Sequence, residues 1–298
     1  MRIITTHAEC NPLLVALKDQ GVEVTTYSNQ KDVLEKNAWL NCDAYYGNLF
    51  DDIKKPRQLI KIRAQLEKAC VPYVFWNRDA PWHVGIKPYR AWMLRQLKPV
   101  DIYLTHSEQN AGWFSRNPPI YFPNAASESY YRSTNLDALR DESAYKTDLL
   151  FIGSVGNAKD RSCQKRAKFL KQLETRLIQN SPSVRILVVD IAQGSLPIDR
   201  QIELIRTSKL SLSVGAMCDL DGNPSDGLPE RIFGIPAAGG LVLTDNRKSL
   251  AKTFPNDICP TFSELDDCAD LILRLLGNFE EIRRGAEILH GFVCQHHT

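Results

Sequence analysis

An arginine at the start of a predicted helix is the side chain whose position most directly indicates chemistry. A polar loop with glycine and proline leads into a helix predicted over residues 228–238, and Arg231 falls in its first turn. The positive end of a helix dipole disfavours a cation unless an anion lies opposite, and a guanidinium fork suits a diphosphate. The segment therefore predicts an anion site. The alternative is an arginine exposed to solvent or paired with Glu230 or Asp226.

A second candidate for phosphate binding is the glycine-containing loop that follows an apolar strand predicted over residues 147–152. It contains Gly153, Ser154 and Gly156, and Arg161 follows close behind. Glycines let the backbone approach a phosphate closely, and N–H groups at a helix start can bind it. The spacing matches neither a dinucleotide-binding nor a P-loop motif, so a plain strand-to-helix turn is the alternative.

Candidate acid–base residues lie in the first half of the chain, each after a predicted strand. Asp79 and His83 follow the strand predicted over residues 71–76, and His7 and Glu9 follow the first strand. Transfer to a hydroxyl group needs one base that removes its proton. We expect Asp79 to be that base, with His83 or His7 as the next candidates. A histidine with a purely structural role is the alternative for His7.

Three of the five tryptophans, Trp76, Trp82 and Trp92, lie close together and are interleaved with arginine and lysine. Their aromatic faces suit stacking on sugars, and the same mixture could bind single-stranded nucleic acid. An ordinary packed segment followed by a surface helix is the plain alternative.

These residues belong to a chain in which strands and helices alternate twice, with a break near residue 145. Predicted strands cover 2–5, 22–27, 43–46, 71–76, 101–105, 120–122, 147–152, 184–190, 209–214 and 241–244, and predicted helices cover 12–20, 54–69, 163–179, 198–207, 228–238, 263–277 and 279–290. Residues 124–144 carry no apolar stripe and are expected to connect the two runs. Such alternation predicts parallel sheets in two Rossmann-like domains with a cleft between them. Ligands bind beyond the carboxyl ends of such strands, which adds Gly215 to the candidates.

Composition narrows the classes of function. The 298 residues suffice for about two domains. The net charge of +2 argues against a protein that wraps nucleic acid, so no nucleic-acid partner is expected. The eight cysteines are scattered without zinc-site spacing, so no metal is expected and the thiols fit a reducing cytosol. No apolar run approaches the ~18 residues of a membrane span. We therefore expect a cytoplasmic protein and leave peripheral membrane association open.

The motif Arg-x-Phe-x-x-x-Ala-x-Gly-Gly-x-x-x-Thr-Asp, which runs from Arg231 to Asp245, resembles the donor-binding helix of GT-B glycosyltransferases. It is most similar to the CgeB-like group, named after a spore-maturation protein. The strand before Gly153 and the Trp-Asn-Arg-Asp-Ala-Pro segment at residues 76–81 resemble further segments of that group.

The resemblance implies a GT-B arrangement and an enzyme that moves a sugar from a nucleotide diphosphate sugar to a hydroxyl acceptor without a metal or other cofactor. The acceptor, a glycan or a lipid-linked saccharide, would bind residues 1–145. The nucleotide sugar would bind residues 146–278, and residues 279–298 would form a helix that packs back on the first domain. The implied nucleotide-binding residues are Gly153, Ser154, Arg161, Gly215, Glu230, Arg231, Phe233, Gly239 and Gly240. The implied leaving-group partners are Arg231, Arg161 and the amides of Gly153 and Ser154.

The sequence departs from the family pattern at Gly234, where a glutamate usually holds the nucleotide ribose. Glu230 lies about one helical turn earlier on the same face and is the expected substitute. The alternative is that a ligand or a neighbouring backbone comes too close to residue 234 for any side chain. The departure also favours a rival function, a nucleotide-sugar or glycan-binding protein without turnover. A GT-B sugar-nucleotide epimerase is the other rival, and the first βα turn lacks the motif of an NAD-dependent enzyme.

Overall fold

The computed structural model describes residues 1–9, 11–77, 88–107, 111–156, 161–192, 194, 196–215 and 226–298. The chain divides into two compact units, Met1–Phe122 and Pro123–Thr298. Each unit contains one parallel sheet with helices, so the predicted α/β class with two parallel sheets is confirmed.

The first unit contains a six-stranded parallel sheet in the order β2-β1-β3-β4-β5-β6. Its strands are β1 (Arg2–Thr5), β2 (Glu23–Thr26), β3 (Ala44–Tyr46), β4 (Tyr73–Asn77), β5 (Ile102–Thr105) and β6 (Ile120–Tyr121). Its helices are α1 (Pro12–Asp19), α2 (Gln30–Glu35), α3 (Leu49–Asp52), α4 (Pro56–Lys68) and α5 (Pro88–Leu97). In α4 the side chains of Leu59, Ile62 and Leu66 form one buried stripe, because residues three and four apart share a helix face.

The first βα turn shows why these residues form these elements. Asn11 caps α1, since its side-chain oxygen accepts from the N–H of Leu13 at 3.0 Å. Gly21 ends the same helix with φ +76°, a conformation that glycine adopts without strain. Its predicted place just after the helix is therefore confirmed.

The second unit contains a five-stranded parallel sheet in the order β11-β10-β9-β7-β8. Its strands are β7 (Thr147–Gly153), β8 (Ile186–Asp190), β9 (Ser208–Ser213), β10 (Leu241–Asp245) and β11 (Thr261–Phe262). Its helices are α6 (Glu128–Tyr131), α7 (Arg161–Asn180), α8 (Ile198–Arg206), α9 (Arg231–Ala237), α10 (Leu250–Thr253), α11 (Leu265–Leu276) and α12 (Phe279–His296). The central strand β7 is buried along most of its length, as expected of a parallel strand covered on both faces.

The boundary between the units differs from the predicted one. The contacts divide at Phe122 and Pro123 rather than near residue 145. The segment predicted to be a plain connection contains α6, whose Tyr130 donates from its hydroxyl to Oε1 of Gln201 at 2.9 Å. Tyr145 likewise donates to the carbonyl of Leu139 at 2.7 Å and is buried. Single side chains such as these hold the segment in the second unit, and they leave no periodic signal in the sequence.

Residues 279–298 also differ from the prediction, because they belong to the second unit. Helix α12 packs on α9, α11 and β10. Ile282, Ala286, Leu289 and Val293 are fully buried and form one stripe along α12, directed into the core of that unit. This stripe is the apolar face from which the sequence predicts a terminal helix.

Candidate functional site

The carboxyl ends of β7 and β9 mark the switch point of the second sheet. The chain runs from β7 to β8 on one side and then returns to place β9, β10 and β11 on the other. Loops that leave adjacent strands in opposite directions open a crevice, which is where ligands bind in open α/β sheets.

Arg231 lies at this switch point, as the sequence predicts. It is the first residue of α9, and its Nε donates to the hydroxyl of Ser213 at 2.9 Å. Its Nη2 donates to the carbonyl oxygen of Val214 at 3.0 Å and also to that of Gly215. The guanidinium carbon lies 5.8 Å from the centre of the Phe151 ring on β7. These contacts fix the arginine across the ends of the two strands.

A second arginine at the same place, Arg166 on α7, was not predicted. It is buried, with 4% of its surface exposed. Its Nε donates to the carbonyl of Val214 at 3.0 Å, and its Nη1 donates to the carbonyl of Ser154 at 2.7 Å. The available signal was its place on the apolar stripe of α7, in line with buried Cys163 and Leu170. A cation at a core position of a helix requires partners inside the protein.

The two guanidinium groups share the carbonyl oxygen of Val214, which brings like charges close together. Two unit charges about 6 Å apart repel by roughly 3 kcal/mol at an effective dielectric constant of about 20. Asp245 offsets part of this charge, because its Oδ2 accepts from the N–H of Gly215 at 3.3 Å. However, the same oxygen accepts from Nη2 of buried Arg247 at 2.8 Å. The described part of this cluster thus contains the guanidinium groups of Arg166, Arg231 and Arg247 and the carboxylate of Asp245, and guanidinium groups are suited to bind an anion.

The loop after β7 is organised by Asp190 at the end of β8. Its Oδ1 accepts from the N–H groups of Val155 and Ala192, both at 2.9 Å. These backbone bonds hold the pKa of Asp190 below its ordinary value. The N–H of Val155 is thus directed at a carboxylate instead of a phosphate. Gly156 is required here, because a Cβ would lie 2.3 Å from Oδ2 of Asp190.

The other residues predicted from this loop have different outcomes. Gly153 is the last residue of β7, where a Cβ would lie 2.7 Å from the ring of Phe151. The carbonyl of Ser154 binds Arg166. Helix α7 begins at Arg161, but its side chain lies outside the described part of the structure. The roles of Gly153, Ser154 and Arg161 toward a phosphate stay predictions.

Three of the predicted nucleotide-binding residues pack in the core or end helix α9, namely Phe233, Gly239 and Gly240. Phe233 is fully buried and stacks on Phe254, with the ring centres 5.8 Å apart. The N–H of Gly239 donates to Pro236 at 2.8 Å and that of Gly240 donates to Ile235 at 3.0 Å. This pair of bonds is the Schellman motif that ends a helix. Since α9 starts at the carboxyl edge of the sheet, its end lies at the opposite edge, away from Arg231.

Gly234 faces an aromatic ring. A Cβ there would lie 3.3 Å from Cε1 and 3.4 Å from Cζ of Tyr130, so the ring leaves little room for a side chain. The sequence analysis expected Glu230 to replace the missing glutamate and named a close ligand or backbone at residue 234 as the alternative. The structure puts the ring of Tyr130 from α6 at this place. Glu230 is exposed, and burial together with the charge of Glu230 raises the pKa of Tyr130. Glu230 therefore lies close to the tyrosine that fills the space at Gly234.

His7 lies at the switch point of the first sheet, between the ends of β1 and β3. Its Nε2 lies 3.1 Å from the carbonyl oxygen of Gly47, and its ring stacks on Tyr46 with the ring centres 4.5 Å apart. A carbonyl only accepts, so Nε2 is assigned the proton and Nδ1 the lone pair, which lies 3.5 Å from the amide nitrogen of Asn11. Burial lowers the pKa of His7 below its ordinary value. Its imidazole is thus neutral at pH 7, as a general base must be.

Among the other residues predicted in the first unit, Glu9 is exposed. Three of them, Asp79, His83 and Trp82, lie outside the described residues. In the second unit, the predicted Gly215 donates its N–H to Asp245 and accepts from Arg231 at its carbonyl oxygen.

Comparison with known proteins finds one family model that matches part of the chain. Residues 163–298 match the model of a family described as glycosyl transferase-like. A comparison with curated protein sequences finds no significant match.

Several solved structures share the fold over nearly the whole chain. Sucrose-phosphate synthase from Thermosynechococcus elongatus is similar with a TM-score of 0.64 and 11% identity, over 99% of this chain and 94% of that one. The Anabaena protein Alr3699/HepE, solved in complex with UDP and glucose, is similar with a TM-score of 0.56 and 12% identity, over 99% and 95%. A glycosyltransferase from Rickettsia africae gives a TM-score of 0.54 and 12% identity, over 100% and 86%. This chain shares the fold of these proteins.

Two further findings concern the whole of the described chain. Among the residues that the structure describes, no three His, Cys, Asp or Glu side chains are grouped so that they could hold a metal ion. None of the described helices is both long and apolar enough to cross a membrane.

We predict that Gly239→Ala lowers stability by roughly 2–4 kcal/mol, because it adds strain at positive φ and overpacks the core. The glycine has φ +88°, and a Cβ would lie 2.6 Å from Cδ1 of Leu139. Urea unfolding measures the loss. Gly291→Ala is the matched control, since nothing lies within 4 Å of its Cβ position in α12 and the change should stabilise by about 0.5–1 kcal/mol. A Gly239→Ala protein of unchanged stability that no longer binds nucleotide would return Gly239 to the site.

Proposed function

We propose that this protein transfers a glycosyl group from a nucleoside-diphosphate sugar to a hydroxyl acceptor. The observation that carries the proposal is the pair Arg166 and Arg231, which share the carbonyl of Val214 at the switch point of the second sheet. A diphosphate that leaves a sugar gains negative charge in the transition state, and fixed cations stabilise that charge best when they need not reorganise. The family match, which includes both arginines, supports this assignment.

The proposal divides the work between the units. The second unit would bind the nucleotide diphosphate through Arg166 and Arg231, with Glu230 near the ribose and Gly215 lining the pocket. The first unit would bind the acceptor, a glycan or a lipid-linked saccharide, at the end of β1. This proposal includes a GT-B arrangement with a cleft and membership of the CgeB-like subgroup. It also includes transfer of a hexosyl group, independence of metal and other cofactors, and a cytoplasmic location.

The base that removes the acceptor's proton is His7 in this proposal, because its neutral imidazole lies at the switch point of the first sheet. Asp79 and His83, which the sequence favours for their place after β4, are the candidates to test beside it. The bond between the sugar and the diphosphate breaks, and the diphosphate leaves with a negative charge that Arg166 and Arg231 stabilise. The acceptor oxygen, whose proton goes to His7, forms the new bond to the sugar.

A thermal-shift panel of UDP, GDP, CDP and dTDP tests donor binding directly. A nucleotide that binds only the folded protein adds about 2.7 kcal/mol of stability at 100 times its Kd. Stabilisation by one of the four is the expected result, and failure of all four would contradict the proposed function. Slow hydrolysis of the matching nucleotide sugar in the absence of an acceptor would indicate a transferase. Conversion of the sugar itself would indicate an epimerase, and binding without any turnover would indicate a binding protein.

Arg231→Ala should weaken binding of that nucleotide by about 1.5–3 kcal/mol, because a charge-assisted bond to the diphosphate is lost. Calorimetric titration of the folded variant measures the change. Arg200→Ala is the control, since Arg200 is an exposed arginine of the same unit that pairs with Glu203. Equal affinity of wild type and the Arg231 variant would remove Arg231 from the nucleotide site.

His7→Gln should lower kcat by about 10²–10⁴ and leave donor affinity nearly unchanged. A lowered pKa means that His7 loses its proton below its ordinary value of 6.5. Wild-type kcat should therefore fall as the pH drops through that lowered pKa and stay level above it, and the variant should lack this acid limb. A variant with wild-type kcat and an unchanged profile would shift the role to Asp79 or His83, and Asp79→Asn would be the next measurement.

Glu230→Ala should weaken donor binding by roughly 1.5–3 kcal/mol if the carboxylate binds the ribose. Gly234→Glu should also weaken it, because the new side chain must push the ring of Tyr130 aside. Calorimetry on both variants with the ribonucleotide and its 2′-deoxy analogue shows whether the ribose is the partner. Unaltered affinity in both variants would mean that this helix does not touch the ribose.

A further inference from the structure

Helix α9, which carries Arg231, is too short to hold its own position. It spans the seven residues Arg231–Ala237, includes Pro236, and has Glu230 as an N-cap residue that makes no capping side-chain hydrogen bond. Isolated helices shorter than ~12 residues are marginal even with good helix formers, and an interior proline removes one more bond. The place of α9, and therefore of Arg231, must depend on what packs around it.

The end of α9 is held by side chains from three parts of the second unit. Four consecutive carbonyls at this end each accept from a different side chain. The donors are His290 to Pro236 at 3.0 Å, Thr134 to Ala237 at 3.1 Å, Arg206 to Ala238 at 3.3 Å and Arg283 to Gly239 at 3.0 Å. Cations at a helix C-terminus are favoured by the dipole. The far end of the helix is thus fixed by polar bonds.

The middle of α9 is held by an aromatic cluster that contains a titratable ring. His297, just after α12, lies with its ring centre 5.2 Å from Phe233, 5.9 Å from Phe254 and 5.6 Å from Phe292. Its carbonyl oxygen accepts from the N–H of Ala126 at 2.7 Å, so backbone and ring are both fixed. Phe233 is one of the buried side chains of α9 and lies two residues from Arg231.

We propose that His297 is a positioning residue for the nucleotide site, because its neutral ring completes the aromatic cluster that holds Phe233 and thereby orients Arg231. This inference rests on the proposed function. It adds a dependence of donor affinity on the protonation of a residue that does not touch the ligand.

Burial makes protonation of His297 unfavourable while the ring stays in place, and the hydrogen bond with the backbone of Thr253 acts in the opposite direction. Helix α9 contributes the Phe233 ring, Phe254 follows directly after α10, and the segment before α6 contributes the backbone of Ala126. The titratable group that acts on His297 is His296, which precedes it at the end of α12. Burial first, and the charge of His296 to a lesser extent, lower the pKa of His297.

The sign of the pH effect follows from that direction. A released His297 binds its proton at an ordinary pKa of 6.5, whereas the packed ring resists it. Each pH unit below about 6.5 therefore favours release of the ring by up to tenfold, until the lowered pKa is reached. Release frees Phe233, reduces the fraction of molecules with α9 in place, and raises the apparent Kd by the same fraction.

The test compares wild type with His297→Phe, His297→Ala and the control His296→Ala. Calorimetry at pH 7.5 and pH 5.0 gives Kd for the nucleoside diphosphate that binds best, and urea unfolding gives stability under both conditions. The phenylalanine keeps a ring in the cluster but cannot titrate, and both proteins meet the same ionisation state of the ligand. Their difference therefore isolates His297.

We expect the wild-type Kd at pH 5.0 to rise about threefold to tenfold more than that of His297→Phe. His297→Ala should bind about threefold to tenfold more weakly at both pH values, and His296→Ala should follow the wild type. The same pH dependence in His297→Phe and wild type would overturn the inference, as would full affinity in a folded His297→Ala protein. In both of those cases nucleotide binding, and so the proposed function, would still stand. A wild type that binds none of the nucleotides would overturn both.

Discussion

The carbonyl oxygen of Val214 is the atom on which the proposed site depends. It accepts from Arg166 of α7 and from Arg231 of α9, and so it joins the helices that follow β7 and β9. Backbone carbonyls carry only partial charge, and this one orients two guanidinium groups. The result is a preorganised cation pair, which is the condition under which fixed charges stabilise a leaving diphosphate most effectively. Surface arginines on flexible stems would lose side-chain entropy upon binding, whereas these side chains are already ordered.

This arrangement places a demand on the rest of the second unit. A charged pair held on one carbonyl is stable only if both helices keep their positions, because a small shift would leave a buried guanidinium without its partner. Helix α7 meets the demand by its length and its apolar stripe of Cys163, Leu170 and Leu177. Helix α9 has only seven residues, so it depends on α12 and on the segment before β7. That dependence explains why these two elements belong to the second unit.

The sequence was sufficient for the order of strands and helices, for the two parallel sheets and for the place of Arg231, because each depends on local periodicity or on the rule for strand ends. The sequence did not predict features of the structure that depend on the contacts of a single side chain. Arg166 lies among many lysines and arginines of α7, and only its register with buried residues marks it. Tyr130 belongs to a segment without periodicity. Phe233 and the glycine pair lie in the motif that the resemblance emphasises, yet that motif also has to end a helix and fill a core.

The two histidines singled out by the structure show how burial alone gives neutral imidazoles different uses. Burial lowers the pKa of both His7 and His297. His7 lies at a strand end, and its ring keeps a lone pair on Nδ1 near the amide of Asn11, 3.5 Å away. A neutral ring in that position can take a proton from a substrate. The ring of His297 is surrounded by three phenylalanines, where a proton would instead disrupt packing. In the proposed function, the same direction of pKa shift serves proton transfer in the first unit and packing in the second, and the surrounding groups decide which.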